Sequence, residues 1–208
     1  MVIDTEAVSD GRRLWQKRGV IAPRNPRKAR PPLTQARLEE LALTYVGRFA
    51  TTRSKLSDYL ARKLRERGWE GPSEPDPRAI AERLAARGYI DDAGYALSKA
   101  QALSARGYGK RRLVEKLRVS GVDEEDSAAA REHSDRESLA AALRFAQRRR
   151  IGPFADADPA DARTRDKALG AMIRAGHAFA LARAIVRLEP GKPVDMDALA
   201  ESAGLTSR

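Results

Sequence analysis

The sequence predicts an all-α fold built from tandem repeats, and three observations carry that prediction. Apolar residues from Thr34 onward recur at helical spacing. The helix endings share a Leu-x-x-x-Gly-apolar signature, and some copies of it lie at nearly constant intervals. Composition agrees, because the 42% hydrophobic content leans on Ala and Leu while aromatics make up only 5%, which favours helix over strand.

The first element expected is a helix capped by Thr34, with Leu38, Leu41, Ala42, Tyr45 and Phe49 on one face. Ser54 is the expected cap of a second helix that turns Leu56, Tyr59, Leu60 and Leu64 inward. The run "WEGPSEPDP" then breaks the chain before a third helix carrying Ile80 and Leu84. Beyond Asp91 and Asp92 the residues Tyr95, Ala96, Ala100 and Leu103 form the next apolar face. Another helix starts near Gly109, with Leu113, Val114 and Leu117 buried.

Four endings read "LRERGW", "LAARGY", "LSARGY" and "LRVSGV", placing Gly68, Gly88, Gly107 and Gly121 as structural caps. Glycine there takes the left-handed conformation, and the apolar residue after it folds back on the helix. The expected contacts are Leu64 with Trp69, Leu84 with Tyr89, Leu103 with Tyr108, and Leu117 with Val122. "MIRAGH" is a weaker fifth copy, with His177 as a packing residue. Gly68 to Gly121 is 53 residues and Gly121 to Gly176 is 55, which suggests three three-helix repeats. The expected divisions are a repeat over 34–90, one over 91–134 and one over 135–189. A loosely docked tail follows at 190–208.

Charge bounds the partners. The 208 residues carry a net +11, with a mean hydropathy of −0.57, a balance that points to polyanions. Residues 11–32 hold eight bases and no acid, interrupted by Pro23, Pro26, Pro31 and Pro32, so 1–33 reads as a basic, proline-rich, disordered arm. There is no cysteine, no apolar run long enough for a bilayer and no basic-then-apolar leader. The expectation is a cytoplasmic protein with no membrane partner.

The catalytic readings fail in turn. Gly107-Tyr108-Gly109-Lys110 lacks the glycine spacing and the Ser or Thr of a phosphate loop. Asp91 and Asp92 follow a helix stop and precede an apolar-periodic run, so both read as structural caps at a helix N-terminus. His133 and His177 are the only histidines and cannot build a metal site on their own. The protein is expected not to be an enzyme and to use no cofactor or metal. Its binding residues are expected in two basic groups. One is Lys110, Arg111, Arg112, Lys116 and Arg118, mostly on the outer face of a helix. The other is Arg144, Arg148, Arg149 and Arg150.

The stretch "RLAARGYIDDAGYALSKAQALSARGYGKRRLVEKLRVSGV" (83–122) resembles the central signature of the RecX family. The resemblance runs through Gly-Tyr-Ile-Asp-Asp, Tyr95-Ala96, Gly107-x-Gly109, Leu113 and the Leu117 to Val122 ending. "SKLSDYLARKLRERGW" is similar to the family's first-unit helix. Tyr95 stands where phenylalanine is more usual, and the third repeat has a diverged cap. The resemblance implies an elongated, curved array of three repeats that binds the RecA–DNA filament. It implies inhibition of ATPase, strand exchange and co-protease activity in the control of DNA repair, recombination and the SOS response. The expected partners are a RecA-type recombinase filament and single-stranded DNA, with double-stranded DNA a further candidate, and the chain acting as a monomer. The competing reading is a stand-alone helical DNA-binding protein acting as a transcriptional regulator. It lacks a helix bearing base-reading Asn, Gln and Arg together, since Asn25 is the only asparagine.

Overall fold

Thr34 does open the first helix, its Oγ1 accepting from the Arg37 N–H at 3.4 Å. In the computed structural model, which describes residues 31–157 and 161–205, α1 spans Gln35–Val46, α2 Arg53–Arg67, and α3 Pro77–Ala86. The next three are α4 Asp92–Ala105, α5 Lys110–Val119 and α6 Ala128–Arg136. The chain continues through α7 Ser138–Arg149, α8 Ala162–Arg174, α9 Phe179–Val186 and α10 Met196–Ser202. The protein is all-α, as its composition and periodicity predict.

Buried apolar side chains gather in three clusters along the chain. Leu38, Ala42, Leu56, Leu60, Ile80 and Leu84 form the first, from α1 to α3. Ala96, Ala100, Leu113, Leu117 and Ala130 form the second, from α4 to α6. The third joins Phe145, Met172, Leu181 and Ile185 with Leu199 of α10. Within the tail expected at 190–208, Leu199 is buried and α10 is capped by Asp195. At the other end, the arm expected over 1–33 lies outside the described residues up to residue 30. Leu33, by contrast, is fully buried. It exchanges backbone hydrogen bonds with the segment after α2, Leu33 N–H to Gly68 O at 3.0 Å and Glu70 N–H to Leu33 O at 2.9 Å.

The glycine stops close as their sequence predicts in most copies. Tyr89, Tyr108, Val122 and His177 each donate a backbone N–H to the carbonyl five residues earlier, at 2.9–3.2 Å. Gly68 behaves differently. Its φ is positive (80°) but its ψ is extended (175°), so Trp69 leaves the helix to pair with Leu33 rather than turning back to Leu64 through its backbone. Tyr89 keeps its backbone bond but is 57% exposed, so it does not close its stop with a buried apolar contact. Phe49 is likewise exposed, lying beyond the end of α1 with its ring centroid 5.3 Å from that of Tyr45. A further stop ends α7 without any glycine. Arg150 adopts the left-handed conformation (φ 53°) and Ile151 N–H reaches Ala146 O at 2.9 Å.

Two capping expectations change at the joint between the first and second clusters. Thr52, not Ser54, caps α2, accepting from Lys55 N–H at 3.2 Å while its hydroxyl donates to Ser120 O at 2.6 Å. Asp91 is the N-cap of α4, accepting from Gly94 N–H at 2.8 Å. Asp92 sits one residue inside that helix and does not cap it. Its buried carboxylate instead accepts from the Arg53 backbone N–H and Nε, both at 3.0 Å, and so caps α2 from another helix. The Arg53 guanidinium also meets Asp123, Asp126 and Glu82, which fastens the start of α2 to the turn between α5 and α6 and to α3. Asp123 and Asp126 belong to that turn, ahead of the α6 start at Ala128.

Candidate functional site

The basic residues divide by whether a carboxylate already holds them. Lys110 reaches Asp135 at 2.6 Å, Arg118 reaches Glu115 at 2.9 Å, and Arg150 reaches Asp156 at 3.0 Å. Arg144 is tied down more fully, donating to Glu137 and to the Ser104 carbonyl, both at 2.7 Å, and so bracing α7 against the end of α4. Each of these four is partly neutralised by a neighbouring carboxylate. Arg111, Arg112, Lys116, Arg148 and Arg149 have no carboxylate within ion-pairing distance among the described residues.

Three of those unpaired arginines meet in one cleft, where two others join them. Arg106 at the end of α4, Arg112 of α5, Arg148 and Arg149 of α7 and Arg174 of α8 line a cavity of about 610 Å³. Its apolar surfaces are Tyr108, Phe145, Ala171 and Ala175. The Arg112 guanidinium lies 4.4 Å from the centre of the Tyr108 ring, and those of Arg106 and Arg148 lie at 5.5 and 5.9 Å. Arg148 also approaches Phe145 at 5.5 Å and donates to the Arg106 carbonyl at 2.6 Å. The ring faces attract the cations and set their orientation without neutralising them. Among the described residues no acidic side chain lines the cleft, so the five guanidinia converge there without a counter-charge from them. Such an arrangement suits a multivalent anion, which each planar fork can grip through two N–H groups.

The cleft depends on a backbone joint beside it. Gly109 N–H donates to Ala175 O at 3.0 Å and Arg111 N–H donates to Gly176 O at 3.1 Å, crossing from the start of α5 to the end of α8. A Cβ on Gly109 would lie 2.6 Å from the His177 backbone nitrogen and closer still to the Gly176 carbonyl. Gly107 presses on α7 in the same manner, its α-carbon facing the Phe145 nitrogen where a Cβ would stand 2.8 Å away. The motif "GYG" is therefore a packing device on two sides, with Tyr108 projecting between the arginines.

His177 completes the joint. It is 2% exposed, its ring is 5.6 Å from that of Phe145, and Nε2–H donates to Gly107 O at 3.2 Å. Burial pulls its pKa below the ordinary value, against the smaller opposing pull of the Gly107 carbonyl. The folded state then binds this proton less readily than the unfolded chain. The resulting stability is present above about pH 6.5 and declines as pH falls below it. The expected slope is at most about 1.4 kcal/mol per pH unit for one proton, and His177→Gln should remove that component from a denaturation series across pH 5–7.5. A wild-type profile superimposable on the variant's would contradict this assignment.

Among the described residues no group of three or more Asp, Glu or His is placed to hold a metal ion, and no helix is long and apolar enough to cross a membrane. Arg106, Tyr108 and Arg174 line the cleft but stand outside the two basic groups expected from the sequence. Each lies in a glycine stop, "LSARGY" or "MIRAGH", where the residues read as parts of a helix ending rather than of a basic run.

No protein-family model matches the chain. It is 34% identical over 176 residues to "Regulatory protein RecX" of Myxococcus xanthus, spanning 81% of this chain and 91% of that protein. It is 28% identical over 149 residues to the protein of the same name from Agrobacterium fabrum, spanning 70% and 79%. Its fold is similar to that of the crystal structure of RecX from Lactobacillus salivarius, with a TM-score of 0.52 at 16% identity, covering 82% of this chain and 97% of that one.

Proposed function

Because the chain belongs to the RecX family, we propose that it regulates a RecA-type recombinase by binding the recombinase–DNA filament. It acts by binding rather than catalysis, as a monomer in the cytoplasm. The observation that carries this reading is the convergence of Arg106, Arg112, Arg148, Arg149 and Arg174 on one cleft where no described residue is acidic. A filament presents DNA phosphates and protein surfaces side by side, so one protein engaging both can bridge neighbouring recombinase subunits. Bridging opposes the subunit motions that accompany ATP turnover and strand exchange. Inhibition of ATPase, strand exchange and co-protease activity then follows from a single bound state.

The test is titration of the protein into a DNA-dependent ATPase assay of its cognate recombinase. Inhibition is expected at fewer than one molecule per recombinase subunit, because each bound regulator restrains neighbours in the filament. Unchanged ATPase and strand exchange, together with tight binding to one defined duplex sequence, would favour a transcriptional regulator instead.

A further inference from the structure

Among the surfaces of this protein, the arginine cleft is the one whose chemistry specifies a ligand. Among the described residues every cation lining it is an arginine, and none is a lysine. The guanidinium fork pairs with phosphate bidentately, and its flat face accepts a stacked base, which an ammonium group cannot do. The Arg112 guanidinium already lies over Tyr108, 4.4 Å from the ring centre, and Arg112 is an exposed residue. Ala171 and Ala175 are small, so the wall beside buried Phe145 leaves apolar space for a sugar. The volume of about 610 Å³ falls within the range of sites that hold small organic ligands (~300–1,000 Å³).

We propose that this cleft is a nucleotide site. In it Arg106, Arg112, Arg149 and Arg174 take phosphate oxygens, and the exposed face of the Arg112–Tyr108 stack takes a base. The nucleotide is either a unit of a single strand or a free nucleoside triphosphate, which share this chemistry. The inference rests on the filament reading for its setting, where single-stranded DNA and nucleoside triphosphate are both present. It also assigns Tyr108 a positioning role, because its ring holds three guanidinia within 6 Å of its centre.

The experiment uses the full chain without recombinase and a short fluorescein-labelled oligo-dT, with anisotropy read over a salt series. Wild type should bind. The Arg112→Gln/Arg174→Gln variant should bind roughly tenfold more weakly or worse, since charge-assisted hydrogen bonds are lost. Its log–log salt slope should be shallower by about 1.4, as expected for two lost contacts on a single strand. Arg118→Gln/Arg150→Gln removes the same charge from ion-paired positions and should stay within about twofold of wild type. Displacement of the oligonucleotide by ATP at millimolar concentration would assign free nucleotide as a ligand of the cleft, and failure of ATP to displace it would assign the strand.

Equal weakening in both double variants, or none in either, would overturn the site. Displacement by polyglutamate as effective as by unlabelled oligo-dT of equal charge would also overturn it, in favour of an acidic protein surface. The two readings separate cleanly. Loss of oligonucleotide binding in the wild type with recombinase inhibition intact removes the cleft alone. Intact cleft-dependent binding without recombinase inhibition removes the filament reading alone.

Discussion

Replacing Gly109 with alanine is expected to destabilise the fold by about 2–3 kcal/mol or more, and to weaken ligand binding at the cleft even in the molecules that remain folded. Gly109 has φ −88°, so alanine can adopt its backbone conformation without strain. The cost arises from volume. The new methyl would stand where the Gly176 carbonyl and the His177 nitrogen already are, and both belong to backbone that cannot rotate away. Relieving the overlap separates α5 from α8, breaking the Gly109–Ala175 and Arg111–Gly176 hydrogen bonds. The same movement carries Arg112 away from Arg174, so the five-arginine arrangement opens. Gly47→Ala is the matched comparison, since φ there is −69° and no atom would lie nearer than 3.3 Å to the added carbon. It should change stability by no more than about 0.5 kcal/mol. Chemical denaturation of the two variants, with oligonucleotide anisotropy under native conditions, measures both effects. A Gly109→Ala protein as stable as Gly47→Ala would show that the joint is not close-packed.

Arg53→Met should cost about 2–3 kcal/mol, at or below the lower end of the range for breaking a buried ion pair, because Arg53 itself keeps 31% of its side chain exposed. The loss comes mainly from its partner. Asp92 is buried to 3% and would be left charged with neither Nε nor the rest of the guanidinium beside it. Asp123, Asp126 and Glu82 would simultaneously lose the cation that offsets their mutual repulsion. Adding Asp92→Asn to Arg53→Met should recover part of the loss, since a neutral amide is cheaper to bury than an unpaired carboxylate. Asp91→Ala, the true N-cap change, should cost only about 0.5–2 kcal/mol. A double-mutant cycle by urea denaturation separates these contributions. Additivity of the Arg53 and Asp92 changes would mean that the pair does not act as a unit.

Much of the fold was legible because helix endings are local. A leucine four residues before a glycine, followed by an apolar residue, already determines the turn at Gly88, Gly107 and Gly121. An aspartate after such a turn already suggests a cap. Other features were not legible, for two physical reasons. Some turns used a residue whose propensity argues against them, as with Arg150 in the left-handed region, where the neighbouring Ile151–Ala146 bond and the packing of Ile151 outweigh the steric cost. Others needed contacts far apart in the chain. Leu33 looked like part of an arm until it paired with Trp69, and Asp92 looked like a cap until Arg53 of another helix met it.

The candidate site divides along the same line. Arg111, Arg112 and Arg118 are visible as the outer face of one helix, yet a helical wheel cannot tell which of them already has a carboxylate. The structure leaves Arg118 with Glu115, and sends Arg112 toward Arg148, Arg149, Arg106 and Arg174. Arg106 and Arg174 are single cations in apolar helix endings. They become neighbours only because the two glycines at Gly109 and Gly176 let those endings cross. The sequence signal available for them was the repetition of the stop itself, with an arginine shortly before the glycine in both copies.

The central claim, that the arginine cleft is the working surface of a recombinase regulator, is tested most directly by the recombinase ATPase titration run with three proteins side by side. Wild type should inhibit below one molecule per recombinase subunit, and Arg118→Gln/Arg150→Gln should match it to within about twofold. Arg112→Gln/Arg174→Gln should need roughly tenfold more protein for the same inhibition. Inhibition that is equal in all three proteins would contradict the role of the cleft, and an ATPase rate unmoved by wild type would contradict the regulator itself.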